Sequence, residues 1–307
     1  MNCSFKKIRK EIIFAIFVSY TFNLLKMKKT VLLIFVFLSL LTEAQNPETS
    51  KYALTTVNDA TGMAVLNILD SYLSPLTYSG VGVFYEHSEQ KLFSPDNTNL
   101  SMRGKIKVMA GITYNPQITA GIMYMGGYYN WGAFYHFRIT NDFNVRVGSF
   151  IDAQFGFKES TRNENNPYSL DMATNLNLSA LATYDIHLKK KVLRLNFDIE
   201  TPVLGCMFVP QTGISYYELF SLNEFSNAVH FSSLHNKQGL TINTGIEIPF
   251  KYSTWKFGIE TSGLKYKFND AVFKLNEYNL IIGWKYNLYR FCGLKNAAPD
   301  NFISTYK

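Results

Sequence analysis

Glu277-Tyr278-Asn279-Leu280-Ile281-Ile282-Gly283-Trp284-Lys285-Tyr286-Asn287-Leu288-Tyr289-Arg290-Phe291 is the stretch whose reading decides the fold. Every second residue from Tyr278 to Leu288 is apolar or aromatic: Tyr278, Leu280, Ile282, Trp284, Tyr286, Leu288. The alternate phase, Glu277, Asn279, Ile281, Gly283, Lys285 and Asn287, is mostly small, polar or charged. Successive side chains of a strand point to opposite faces, so this segment has one greasy face and one wet face. Its length of about ten residues suits a tilted membrane-crossing strand. Aromatics at both ends of the apolar face match the girdle positions of a lipid-embedded barrel and argue against a strand of a secreted sandwich.

Alternation of this kind recurs upstream. It predicts strands near Gly80–Gln90, Leu100–Tyr114, Ile118–Tyr128, Trp131–Ile139, Asn144–Phe157, Asp171–Leu188, Val192–Glu200, Gly239–Phe250 and Thr254–Phe268. With Tyr278–Phe291 the expectation is an all-β fold, an antiparallel transmembrane β-barrel of about ten strands. A hairpin hidden in Ile214–Ser233 would raise that to about twelve. In the third strand Ile122 and Tyr124 are expected to face outward, and a phase slip near Gly263 suggests a bulge. The connections Phe93–Thr98, Lys158–Ser169 and Thr201–Asn236 are expected at one end, with both chain ends at the other.

The flanking segments are expected to divide as follows. Met27-Lys28-Lys29, a short apolar run and Thr42-Glu43-Ala44 form a signal peptide over residues 27–44, cleaved between Ala44 and Gln45. Residues 1–26 look like a mis-called extension upstream of the true start. Residues 45–78, broken by Pro75, are expected as a periplasmic lead-in or plug, 79–291 as the barrel, and 292–307 as a C-terminal tail.

Composition agrees. The chain has 307 residues, 47% hydrophobic and 16% aromatic, yet a mean hydropathy of −0.04, which excludes a bundle of membrane helices. Half of each barrel strand faces water or the lumen, which brings the average down. The net charge of +7 is spread over the leader and the turns, with no basic stripe, so nucleic acid is excluded as a partner. The expected partners are the lipid bilayer and the barrel-assembly machinery, with no specific ligand indicated. Cys3, Cys206 and Cys292 have no paired or metal-ligand spacing.

Two stretches carry a family resemblance. Leu69-Asp70-Ser71-Tyr72-Leu73-Ser74-Pro75-Leu76-Thr77-Tyr78-Ser79-Gly80 resembles the opening of a family of uncharacterised Gram-negative outer-membrane barrels, a domain of unknown function. Ser215-Tyr216-Tyr217-Glu218-Leu219-Phe220 is similar to a second block of that family. The resemblance implies a barrel in the outer membrane and no known activity. Tyr289-Arg290-Phe291 is similar to the terminal aromatic signal read by the assembly machinery, although Cys292 to Lys307 follow it here.

The chain carries no phosphate loop, nucleophile elbow or HExxH pattern, so no catalytic, cofactor-binding or metal residue is assigned and no cofactor is expected. His230 and His235, in the long connection with Glu218 and Glu224, could serve acid–base or metal chemistry at the rim, but share no defined spacing. The expected lumen charges say more. Arg103, Lys105, Lys107, Arg138, Arg146 and Arg194 would share the interior with Asp152, Asp185, Asp198, Glu200, Glu247 and Glu260. A barrel this small is filled by its own side chains, so these charges must pair. The favoured reading is a structural network, with binding through the outer loops. A narrow solute channel and a rim enzyme are the alternatives.

Overall fold

The computed structural model describes residues 52–53, 55–162, 167–189, 191–210, 216, 228–250, 253–268, 270–288 and 302–303. The leader, Glu218, Glu224, Cys292 and the Tyr289-Arg290-Phe291 signal lie outside the described residues. The strands are β1 (Tyr52–Ala53), β2 (Thr55–Asp70), β3 (Thr77–Leu92), β4 (Leu100–Tyr114), β5 (Gly121–Arg138), β6 (Phe143–Ser160) and β7 (Tyr168–Leu188). They continue with β8 (Lys191–Phe208), β9 (Val229–Ser233), β10 (Lys237–Pro249), β11 (Thr254–Phe268), β12 (Ala271–Leu288) and β13 (Phe302–Ile303).

Neighbours in sequence pair antiparallel from β2 to β9 and from β10 to β12, and β12 pairs back onto β2 from Phe273↔Asp70 to Leu288↔Thr55. β9 and β10 take turns against β8: Val229–Ser233 lies on Phe208–Leu204, and Thr241–Glu247 on Glu200–Arg194. Leu234–Asn236 bulges between them, so β9 and β10 together form one stave. The fold is a closed antiparallel barrel of ten staves among the described residues, as the alternation predicts; most of Ile214–Ser233, where a further hairpin was expected, lies outside them. β1 and β13 make a separate two-residue parallel pairing.

Two boundary expectations are corrected. Residues 55–70 are not a lead-in or plug but the first stave, seated between β12 and β3. Its apolar residues crowd on both sides of Gly62, which blurs the alternation. The expected third and fourth strands are one strand, β5, running through Gly126-Gly127 without a turn. The two errors cancel in the count. The closing partner of β12 is therefore β2, and not the strand at Ser79–Gln90.

The outward face is an apolar belt. Met63, Val81, Ile112, Trp131, Ile151, Leu178, Phe257 and Leu280 are all exposed, as are the other outward residues of the deciding stretch up to Trp284. In water such a surface would drive aggregation, whereas in a bilayer it is solvated by acyl chains. Ile122 and Tyr124 face inward and are buried, while Met123 and Met125 face out, so the third-strand phase is reversed. No bulge occurs at Gly263, where β11 keeps register with both neighbours. The apparent slip arises because Leu264 and Tyr266 are apolar residues of the lumen, packed on a buried cluster that includes Leu66, Phe84, Met109 and Phe273. β7 and β8 shift register between Leu176 and Asn177, opposite Leu204 and Pro202.

Inward glycines let the staves curve tightly. A Cβ on Gly132 would lie 2.2 Å from the Ser149 carbonyl oxygen, and one on Gly62 1.8 Å from that of Leu280. Neither site admits a side chain without moving backbone.

The end bearing Thr55 and Leu288 also carries connections 93–99, 139–142, 189–190 and 250–253. The opposite end carries 71–76, 115–120, 161–167, 209–228 and 269–270. Phe93–Thr98 is thus at the end of the chain termini, the reverse of the expectation, because the missed first stave shifts its parity. The connections 161–167 and 209–228 share an end as expected. The 115–120 turn is held by Asn115, whose side-chain oxygen accepts hydrogen bonds from the Thr119 and Ala120 amides at 2.8 and 3.1 Å.

Candidate functional site

The lumen holds the densest chemistry. On β4, Arg103, Lys105 and Lys107 alternate on the inward face, and all three reach across the barrel. Arg103 donates to Glu200 at 2.5 Å and to Asp198 at 3.3 Å on β8. Lys105 bonds both oxygens of Glu200 at 3.3–3.4 Å. Lys107 donates to Glu260 on β11 at 2.7 Å and to Glu277 on β12 at 3.3 Å. Aromatic faces support each cation: Phe134 lies under Arg103, Tyr128 under Lys105 and Phe84 under Lys107. The carboxylates have further donors. Asn279 and Asn243 donate to Glu260 at 3.0 and 3.1 Å. Glu247 takes hydrogen bonds from Lys285 and from Asn196. Lys107, Glu260 and Glu247 are 2–3% exposed, so this layer fills the bore rather than lining a water column.

A second buried cluster sits toward the end with the long connection. Lys158 is fully buried, donates to Asp70 at 2.5 Å and to Asp171 at 2.8 Å, and lies 4.0 Å from the centre of the Phe273 ring. The Ser169 and Tyr266 hydroxyls complete the two carboxylates at 2.7 and 2.9 Å. Beside it Tyr216, from the 209–228 connection, accepts a hydrogen bond from the Leu170 amide at 2.7 Å and packs edge-on against Tyr72. Burial pushes its phenol well above the ordinary tyrosine range.

The expected lumen charges fall into place unevenly. Arg103, Lys105, Lys107, Asp198, Glu200, Glu247 and Glu260 meet in the cross-lumen layer. Arg194 pairs with Asp185, its cross-strand neighbour, at 2.5 and 2.6 Å. Arg146 donates to Gln90, and Asp152 accepts from Asn175 and Asn177. Arg138 sits exposed at the rim and reaches the Thr98 carbonyl. The sequence reading did not assign Lys158, Asp70, Asp171 or Lys237 to the lumen. In the sequence Lys158 falls in the expected connection Lys158–Ser169 and Asp70 in the expected lead-in or plug. At the rim, His230 stacks on Phe268 with ring centres 3.9 Å apart, and His235 bonds Ser233. Among the described residues no group of three or more His, Cys, Asp or Glu side chains is placed to hold a metal ion. The Cys206 thiol is free and exposed.

Outside the bore, Asp59 faces outward near the end of the chain termini. It is the shared acceptor of the Tyr85 and Tyr286 hydroxyls and of His87 Nδ1, at 2.7, 3.1 and 2.7 Å. A carboxylate on the belt is thereby satisfied at the depth where tyrosines anchor a barrel to the interface.

Residues 31–295 match the family described as protein of unknown function (DUF3316). The chain belongs to this family. Solved barrels are similar in outline only. The outer membrane protease OmpT from Escherichia coli shares 6% identity over 80% of this chain and 99% of its own, with a TM-score of 0.45. The translocator domain of the autotransporter NalP from Neisseria meningitidis shares 8% over 80% and 90%, with a TM-score of 0.38. Neisserial surface protein A shares 10% over 76% and 97%, with a TM-score of 0.33. Likeness this distant transfers no activity, and no curated protein matches the chain. The barrel assignment stands on the strand pairing and the apolar belt.

Proposed function

We propose that this DUF3316 chain is an outer-membrane barrel with a closed lumen, which acts by binding at the rim that carries the 209–228 connection. The cross-lumen layer is the observation that carries this reading. Three cations of β4 and the carboxylates of β8, β11 and β12 occupy the bore with their charges paired, and a permeating ion would have to displace them. The apolar belt supports the bilayer as the protein's solvent. A closed sheet leaves no unpaired edge in hydrocarbon, and the barrel-assembly machinery is the partner proposed for its insertion.

In planar bilayers the full protein is expected to show no conductance steps. Sustained single-channel currents at neutral pH would overturn the closed lumen in favour of the solute channel.

The leader reading gives a second measurement. Export with cleavage between Ala44 and Gln45 puts Gln45 at the start of the mature chain. N-terminal sequencing of protein taken from membranes is expected to begin there. A mature chain beginning at Met1 would sink both the cleavage site and the mis-called extension.

A further inference from the structure

Three lysines stand together on the outer face of the barrel, at the end that carries the 209–228 connection. Lys265 and Lys267 are alternate residues of β11, so both point away from the lumen, and Lys274 of β12 pairs directly with Lys265. All three are exposed. Opposed side chains of an antiparallel pair lie about 5 Å apart at Cβ, and diagonal ones about 7–8 Å. Three flexible stems at that spacing can bring their ammonium groups onto one anion. Like charges so placed repel one another. Among the described residues no carboxylate forms a salt bridge with any of the three, and Asp270, in the turn between the two strands, is no exception.

Their depth is that of a lipid head group. Leu240 of β10, the last apolar residue on the outer face of its strand, lies opposite Gly263, and the next outward pair is Gln238 with Lys265. The lysines therefore begin one outward step past the belt. On the same staves the belt is hollowed into a groove of about 630 Å³, lined by Ile246 of β10, Phe257 and Ile259 of β11 and Leu280 of β12. At about 3.4 Å per residue, Lys265 stands about 20 Å along β11 from Ile259. On a strand tilted by about 40° that is about 15 Å of depth, half of a hydrocarbon core.

We propose that this sector of the barrel holds one anionic membrane lipid, its phosphate among Lys265, Lys267 and Lys274 and its acyl chains in the groove below. The phosphate oxygens supply the acceptors and the negative charge that the opposed lysines lack. Net charge decides for an anionic head group over a zwitterionic one. The groove on the same strands decides for a lipid over free phosphate. The inference rests on the bilayer placement of the belt proposed above and is independent of whether the lumen conducts.

The test is native mass spectrometry of the full chain, folded in neutral detergent micelles, with phosphatidic acid and with diacylglycerol, which has the same chains and no phosphate. One phosphatidic acid per barrel is expected to be retained, at a concentration at least tenfold below that needed for diacylglycerol. Added inorganic phosphate is expected not to displace it. The triple variant Lys265→Gln, Lys267→Gln, Lys274→Gln is expected to lose the preference while still shifting on heating, because exposed side chains leave the core untouched. A second triple variant, Lys91→Gln, Arg138→Gln, Lys189→Gln, removes the same charge at the opposite end and is expected to keep it. Equal retention of the two lipids would overturn the site, as would equal loss in both triple variants, which would mark non-specific attraction to net charge. Displacement by inorganic phosphate would overturn the lipid as occupant. The lipid comparison needs only the wild-type chain, so it stands if a variant misfolds. Membrane washing separates the two readings: a chain released as soluble protein removes the bilayer placement, whereas a chain that stays embedded and shows no phosphatidic acid preference removes the site alone.

Discussion

Replacing Lys107 by methionine is expected to lower the stability of the folded barrel by about 3–5 kcal/mol, the usual cost of leaving a buried charge without its partner. Lys107 is 3% exposed and stands between two carboxylates, Glu260 at 2.7 Å and Glu277 at 3.3 Å. Methionine keeps the stem and its contact with the Phe84 ring but takes away the charge. Glu260, 2% exposed, is then left with only the amide donors of Asn243 and Asn279. The expected loss is not the strength of the ion pair. It is the cost of a carboxylate held out of water beside a second one. The double variant Lys107→Met with Glu260→Gln removes one carboxylate charge along with the cation and is expected to recover at least half of the loss. The coupling is read from urea midpoints of the heat-modifiable folded form in a double-mutant cycle. Independent, additive effects of the two changes would show that Lys107 and Glu260 do not act as a pair.

That layer also shows which parts of the molecule were legible in the sequence. Polar alternation on β4 and β8 placed Arg103, Lys105, Asp198 and Glu200 in the lumen, because a charged residue flanked by apolar ones has a single face available to it. The reasoning that a narrow bore forces its charges to pair then anticipated the network. What it could not supply was the partner list, since the bonds of the β4 cations join residues 95 to 170 positions apart. Alternation fails where the lumen itself is greasy. Ile122, Tyr124, Leu264 and Tyr266 face inward yet are apolar, so one phase was reversed and a bulge inferred where register is continuous. The same mixture hid β2, whose inward Ala64, Leu66 and Ile68 match its outward Met63 and Val65 in character.

β2 gives the second large effect. A chain lacking residues 55–76 is expected to yield no folded barrel at all, measured as the loss of the heat-modifiable band and of protease-resistant protein in membranes. If this region were a lead-in or plug, the same deletion would leave a closed barrel behind it. The pairing says otherwise. β2 matches β12 from Thr55↔Leu288 to Asp70↔Phe273 and β3 from Thr55↔Lys91 to Leu69↔Thr77. Both seams lose their partner when it is removed. The gap cannot simply heal. β3 and β12 each run antiparallel to β2, so they run parallel to one another. An odd barrel of nine staves would need one parallel seam in a sheet whose other seams are all antiparallel. Left open, the edges of β3 and β12 would expose unpaired backbone amides and carbonyls to hydrocarbon, each costing several kcal/mol with no water to satisfy it. Asp70 leaves with the deleted stave as well, which strips Lys158 of its 2.5 Å partner and leaves that buried cation with Asp171 alone. A deletion variant that still shifts on heating and resists protease would return residues 45–78 to the status of a lead-in and place the closing seam between β3 and β12.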